Sequence, residues 1–247
     1  MAARIIINAD DLGADSGVNR AILGSFEQGV INSASIMPTM PGFDEACDLV
    51  AAAKLQAGIG IHLNLSQGMS LTEGIREMPR FWGPDGFRAR VRAFRLSARE
   101  TAAVEHELDA QIRAVVARLP RPSHLDSHHH IHTEWAVGAI VARLARRYKI
   151  PCIRISRNIP PPGGVAKRLY KYLYNGRLER SGLARSRYFG SAADIAPVLQ
   201  QLSGVVEIGV HPRLNARGVI CDFETGPEMA RQHAELGFPE LRPSGGA

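Results

Sequence analysis

Short apolar runs alternate along this chain with longer stretches in which apolar residues return at helical spacing. The first run, "RIIINADD", is apolar until it ends in polar residues, the pattern of a buried parallel strand whose C-terminal end opens into a loop. Next, "DSGVNRAILGSFEQGV" places Val18, Ile22 and Phe26 on one helical face, with Asp15 or Ser16 as its cap. "INSASIMPTM", "AGIGIHLNL" and "IPCIRIS" read as further strands, and "GVVEIGVHP" as the last one. "PGFDEACDLVAAAKL", "SARETAAVEHELDAQIRAVVARL", "EWAVGAIVARLARRYK" and "SAADIAPVLQQL" read as helices. "PSHLDSHHHIH" reads as a short strand leading into a loop. Residues 66–98 are more polar, carry Gly-Pro and Asp-Gly turns, and read as an insertion. Residues 240–247 read as a disordered tail.

Strands that alternate with helices predict an α/β domain with a mostly parallel sheet, open or closed into a barrel. No repeat or linker divides the chain. Asp10, Asp11, His62, the cluster at 124–132, Arg154 and His211 all fall at or just beyond the C-terminal end of a predicted strand. In such folds that edge is where ligands bind and chemistry happens.

Composition narrows the classes. A chain of 247 residues with 45% apolar and 22% charged residues can bury a full core as one soluble domain. No stretch has the uncharged apolar length of a membrane helix. The opening "MAARIIINADD" lacks the cleavage site and the length of a signal peptide. Cys47, Cys152 and Cys221 are too scattered for a disulfide framework or a zinc knuckle, and fit a reducing cytoplasm as small core residues.

The formal charge of +6 is uneven, concentrated in "RFWGPDGFRARVRAFRLSARE" and "KRLYKYLYNGRLERSGLARSRYFG". In the second stretch Lys167, Arg168 and Lys171 alternate with Leu169, Tyr170, Tyr172, Leu173 and Tyr174. Such a helix either packs its aromatics inward beneath a solvated face or lies against a membrane or lipid-linked substrate. No nucleic-acid-binding motif accompanies the charge, so nucleic acid is not expected as a partner.

The chemistry lies in three places. Adjacent carboxylates at a buried strand end, Asp10 and Asp11, repel each other unless a cation relieves them. An exposed turn would also explain the pair. His62 in "GIGIHLNLS", read alone, is a hydrogen-bonded core residue. "HLDSHHHIH" changes that reading, because two imidazoles and a carboxylate make a metal site with open positions. His128, His130 and His132 share a face only if the segment is extended. Asp126 suits an acceptor that orients an imidazole.

"IINADDLG", "GIHLNLS", "HLDSHHHIH" and "EIGVHP", in that order, resemble the YdjC-like carbohydrate deacetylases from residue 4 to about 215. The resemblance implies a single-domain distorted (β/α) barrel and one divalent metal ion, Mg2+ or Zn2+. It implies hydrolysis of the N-acetyl group of an acetylated amino sugar. By motif, Asp11, His62 and His128 would hold the metal, Asp10 would be the catalytic base, and His211 the general acid. Asp126, His130, His132 and Arg154 would bind substrate or support the ligands; Arg154 suits orienting Asp10 or binding a sugar hydroxyl or phosphate. Leu12 replaces the usual Phe, and Arg213 stands where a glycine is usual. With the basic segments, Arg213 points to an anionic or lipid-linked substrate. The same ligands would serve a phosphoesterase or another amidohydrolase, with Glu207 the only further acid for a second metal. A barrel that binds sugar without catalysis would leave Asp10 idle. Exposed apolar helix faces would permit a homodimer.

Overall fold

The computed structural model describes residues 3–89, 91–159, 163–224, 226 and 228–235. In chain order the elements begin with β1 (Arg4–Leu12), α1 (Ser16–Glu27), β2 (Ser33–Ile36), α2 (Phe43–Ala52) and β3 (Ile59–Leu63). A small hairpin, β4 (Trp82–Gly83) and β5 (Gly86–Phe87), precedes α3 (Ala98–Arg118), β6 (Leu125–Ser127) and α4 (Trp135–Arg147). The chain continues through α5 (Val165–Arg180), β7 (Tyr188–Gly190), α6 (Ala192–Ile195) and β8 (Val205–Val210). It ends in β9 (Pro212–Leu214), β10 (Ile220–Asp222) and α7 (Met229–Glu235).

Six strands form one parallel sheet in the order β6-β3-β2-β1-β8-β7. Its two ends approach through single bridges, Leu125 to Ile153 and Ile153 to Ala184, so the sheet curls into a distorted, incompletely closed α/β barrel. Crossover helices force the parallel arrangement and cover the outer face. That explains why β1, β2 and β3 read as near-continuous buried runs. Asp15 caps α1 by accepting from Val18 N, and Ser97 and Glu100 form a reciprocal capping box on α3.

Three elements differ from the sequence pattern. "IPCIRIS" makes only the bridges at Ile153, because Pro151 has no N–H to donate and the run is too short for a ladder. The helix expected over "SAADIAPVLQQL" stops at Ile195 and continues as a 3-10 turn over Ala196–Gln201, where Pro197 removes an α-helical donor. β8 is not the last strand: β9 and β10 form an antiparallel ribbon after it. The loop expected after the short strand β6 is a 3-10 turn, His128–Thr133, and not the extended run in which His128, His130 and His132 would share a face. Residues 66–98 hold a 3-10 turn at Gly74–Glu77 and the β4–β5 hairpin. The tail at 240–247 lies outside the described residues. Cys47, Cys152 and Cys221 are unpaired, and only Cys47 is fully buried. Among the described residues no helix is long and apolar enough to cross a membrane.

Candidate active site

In a regular strand neighbouring side chains face opposite sides, so Asp10 and Asp11 could not share a pocket. β1 solves this with an irregularity. Its register against β2 shifts between Ala9 and Leu12, and Asp11 takes a left-handed φ of 69°. Both carboxylates are thereby brought to the mouth of the barrel, almost completely buried. Asp11 Oδ1 lies 2.9 Å from His128 Nδ1 and 3.4 Å from His62 Nε2. Burial raises the Asp11 pKa, but hydrogen bonds from His128 and His62 outweigh it and hold the carboxyl below its usual range.

β3 delivers His62, and its neighbour β6 delivers Asp126 directly opposite in register. His62 Nδ1 is 2.8 Å from Asp126 Oδ1 and 3.0 Å from Ser35 Oγ, and Ser35 also donates to Asp126 Oδ2 at 2.9 Å. With its Nδ1–H held by the Asp126 carboxylate, a His62 that gave up its Nε2 proton would turn that lone pair toward Asp11 and any cation bound there. Burial lowers the His62 pKa, but Asp126, Asp11 and Asp10 together raise it to about 10. This imidazole stands in a strongly negative field.

Arg154 explains how so many acids coexist. It is fully buried, and its guanidinium contacts Asp10 twice, at 2.6 and 2.8 Å. It also lies 2.8 Å from Asp126 Oδ2 and 2.8 Å from Glu207 Oε1, with its guanidinium carbon 4.7 Å from the Phe189 ring centroid. Burial raises the Asp10 pKa and Arg154 more than reverses it, so Asp10 is held ionised. A second cation, Arg185, bonds Asn8, Glu207 and Ser33. Beneath the mouth, two guanidiniums thus face three of the carboxylates, Asp10, Asp126 and Glu207, and Asp11 is left to the imidazoles and to Arg213.

The histidine turn distributes its rings by backbone twist. His129 and His130 both take left-handed φ values, 49° and 54°, which sends successive rings in different directions. His128 points inward to Asp11. His129 approaches Ser66 Oγ at 3.1 Å, and His130, exposed, sits edge-on to Phe189. His132 is fully buried between Ser127 Oγ and the Arg154 carbonyl. His124 lies behind the site against Gly60, fully buried. Of the sequence candidates around the ligands, Asp126, His132 and Arg154 are closed to solvent and His130 is exposed. Arg154 is enclosed by Asp10, Asp126 and Glu207, in the position that orients Asp10.

His211 follows β8 on the far side of the mouth. Its Nε2 is 3.9 Å from Asp10 Oδ2 and its Nδ1 3.8 Å from Glu224 Oε1, while its backbone N–H donates to Asp222. Arg213 places Nη2 3.6 Å from Asp11 Oδ2.

Among the described residues, two sets of side chains have the reach for a metal: Asp11, His62 and His128, and Asp10, His62 and Asp126. Arg154 already neutralises both acids of the second set. The first fits a divalent ion. Its donor atoms lie within 4.8 Å of one another, His62 is oriented by Asp126, and the buried Nε2 of His128 has no hydrogen-bond partner.

Sequence reasoning missed Asn8, whose amide donates to Asp10 at 2.8 Å, and Ser35, which touches both His62 and Asp126. The signal was present as alternation: Asn8 and Asp10, and Ser33 and Ser35, are polar residues two apart inside apolar strands. Glu207, considered as a metal ligand, instead anchors Arg154 and Arg185.

A parallel α/β barrel with paired acids and imidazoles at its strand ends defines an enzyme of the barrel-hydrolase kind. The family model described as YdjC-like protein matches residues 4–237, and the chain belongs to that family. A carbohydrate deacetylase of Halalkalibacterium halodurans is 33% identical over 219 residues, covering 85% of this chain and 84% of the relative. One of Geobacillus stearothermophilus is 37% identical over 156 residues, 63% of this chain and 61% of that protein. The crystal structure of EF3048 of Enterococcus faecalis, provisionally described as a cellobiose-phosphate cleavage protein, shares the fold with a TM-score of 0.71. It is 23% identical, over 99% of this chain and 98% of that one.

Proposed function

We propose that the protein is a metal-dependent deacetylase that hydrolyses the N-acetyl group of an amino sugar and releases acetate. The observation that carries this reading is Asp10. It is a carboxylate held ionised by a buried arginine, adjoining a separate Asp-His-His set and facing a histidine across the mouth. Membership of a family with curated carbohydrate deacetylases supports the same chemistry.

Asp11, His62 and His128 would hold the ion, which would supply Lewis-acid polarisation of the acetyl carbonyl and the attacking water. Asp10 takes the proton from that water as its oxygen bonds to the carbonyl carbon. Arg154 positions Asp10 and keeps it from capturing a proton beforehand. His211, protonated, donates to the departing amine as the C–N bond breaks. Products are acetate and a free amino sugar. A cavity of about 520 Å³ beside His129, lined by Ser66, Arg92 and Glu134, offers polar groups for the sugar hydroxyls.

The test is acetate release from N-acetylglucosamine oligosaccharides by metal-stripped, zinc- or magnesium-restored and Asp10→Asn protein. Metal-dependent release that vanishes in Asp10→Asn, with the ion still bound, is expected. Release of phosphate from sugar phosphates, with no acetate from any N-acetylated sugar, would overturn the reading.

A further inference from the structure

Helix α5 is apolar on two opposite faces. Its inner face buries Tyr174 and Leu178, and Tyr170 and Tyr174 donate to the carbonyls of Thr133 and His132 at 2.7 and 2.6 Å. Its outer face exposes Val165 (82%), Leu169 (55%), Tyr172 (76%) and Leu173 (47%). At the α-helical turn of about 100° per residue these four fall on one stripe, opposite the buried one. They account for four of the nine exposed large hydrophobic residues among the described ones, gathered on a single helix. Along the flank beyond Tyr170, Phe94 is 58% exposed with its ring 6.5 Å from that tyrosine.

On the other flank lies a cavity of about 530 Å³ that adjoins Tyr172 and Leu173. Arg157, Arg168, Lys171, Arg180 and Arg187 line it against one acid, Glu179. Arg157 is paired with Asp194, but the excess is positive. Burial and then the charges of Lys167 and Arg157 push Lys171 down to about 8, a second sign of an unbalanced field. Nothing in the deacetylation chemistry uses these groups.

We propose that α5 docks this enzyme on an anionic bilayer, with Val165, Leu169, Tyr172 and Leu173 entering the interface and the basic cavity taking lipid phosphate headgroups. An apolar stripe bordered by cations is the pattern of a helix lying in a membrane surface. The cations along the border of the stripe favour an anionic surface as its occupant over a second copy, which carries the same positive excess. The inner face of α5 backs the histidine turn, so docking would hold the active edge close to the membrane. The inference does not depend on which acetylated substrate is used.

The experiment is co-sedimentation of the whole chain with vesicles of phosphatidylcholine alone or of equimolar phosphatidylcholine and phosphatidylglycerol. Wild type is expected to pellet only with the anionic vesicles, and to be released by high salt. Leu169→Glu with Tyr172→Glu is expected to weaken partitioning by about tenfold or more. Arg168→Glu with Arg180→Glu, which leaves the stripe intact, is expected to do the same. All four side chains are exposed, so both variants should keep the wild-type melting curve. Wild type that stays in solution with both vesicles overturns the proposal, as do variants that bind as well as wild type. A wild-type dimer by sedimentation velocity that Leu169→Glu with Tyr172→Glu converts to monomer also overturns it, in favour of a second copy.

Discussion

Arg154 and Asp10, 144 positions apart in sequence, meet through two hydrogen bonds of 2.6 and 2.8 Å. The guanidinium is fully buried, and among the described residues it is the only cation that touches Asp10, Asp126 and Glu207 together. Its removal would therefore leave three buried acids short of their common counter-ion. Arg154→Met should lower stability by ~3–5 kcal/mol, as for other buried ion pairs broken on one side. Asp10 should also titrate nearer to neutrality, so that any remaining activity shifts its acidic limb to higher pH. A urea melt beside the pH profile checks both. An unchanged profile would mean that Arg154 braces the barrel without setting the charge of Asp10.

Asp126 accepts from His62 on one oxygen and from Arg154 and Ser35 on the other. Asn at this position cannot accept on both sides, because one end of the amide is a donor. It would turn an N–H toward either the His62 Nδ1–H or the guanidinium. Asp126→Asn should weaken zinc binding by about 10–100-fold, the usual loss when a carboxylate behind a ligand histidine is changed. Competition with a chromophoric chelator reads this directly. Unchanged affinity would exclude His62 as a ligand.

Part of this site is legible in the chain because parallel strands announce their C-terminal ends. Polar residues that follow an apolar run, such as Asp10, Asp11 and His211, have few other places to be. Helices with strong periodicity, α3 and α4 above all, are equally plain. The rest depends on three-dimensional closure. The partnership of Arg154 with Glu207 joins residues 53 apart and has no local signal. The left-handed turn at His129 and His130, two residues that carry a Cβ, cannot be told from an extended run by composition. It is this turn that separates the rings which an extended strand would have aligned.

Two other histidines give the fold an acid limit. His132 and His124 are fully buried, and burial, the largest cause for each, pushes His132 down to about 4 and His124 well below its ordinary value. Both are neutral in the folded protein, whereas in the unfolded chain they take up protons below about pH 6.5. The unfolded state then binds more protons, and stability falls as pH drops from about 6.5 toward 4, by ~1.4 kcal/mol per unit for each histidine. His62 has the opposite sign. Its raised value of about 10 adds stability that is complete below about 6.5 and declines as pH climbs toward 10. Metal-free protein should thus be most stable near pH 6.5, which urea midpoints across that range would show. A flat profile from 6.5 to 4.5 would mean that the two buried histidines are already charged in the fold.

Arg213 makes the sharpest prediction about metal loading. Its Nη2 lies 3.6 Å from Asp11 Oδ2, and its Nη1 is buried without a hydrogen-bond partner. A guanidinium so placed competes with any cation for the same carboxylate, and it repels a divalent ion at that distance. Arg213→Gly removes the competitor without touching Asp11, His62 or His128. Zinc or magnesium should then bind about tenfold more tightly, equivalent to ~1.4 kcal/mol, by isothermal titration. The same variant should respond less to salt, since one of the two charges that meet at Asp11 is gone. If affinity instead falls, Arg213 is a support that holds Asp11 in place for the ion, and its positive charge is screened from the site by the carboxylate it contacts.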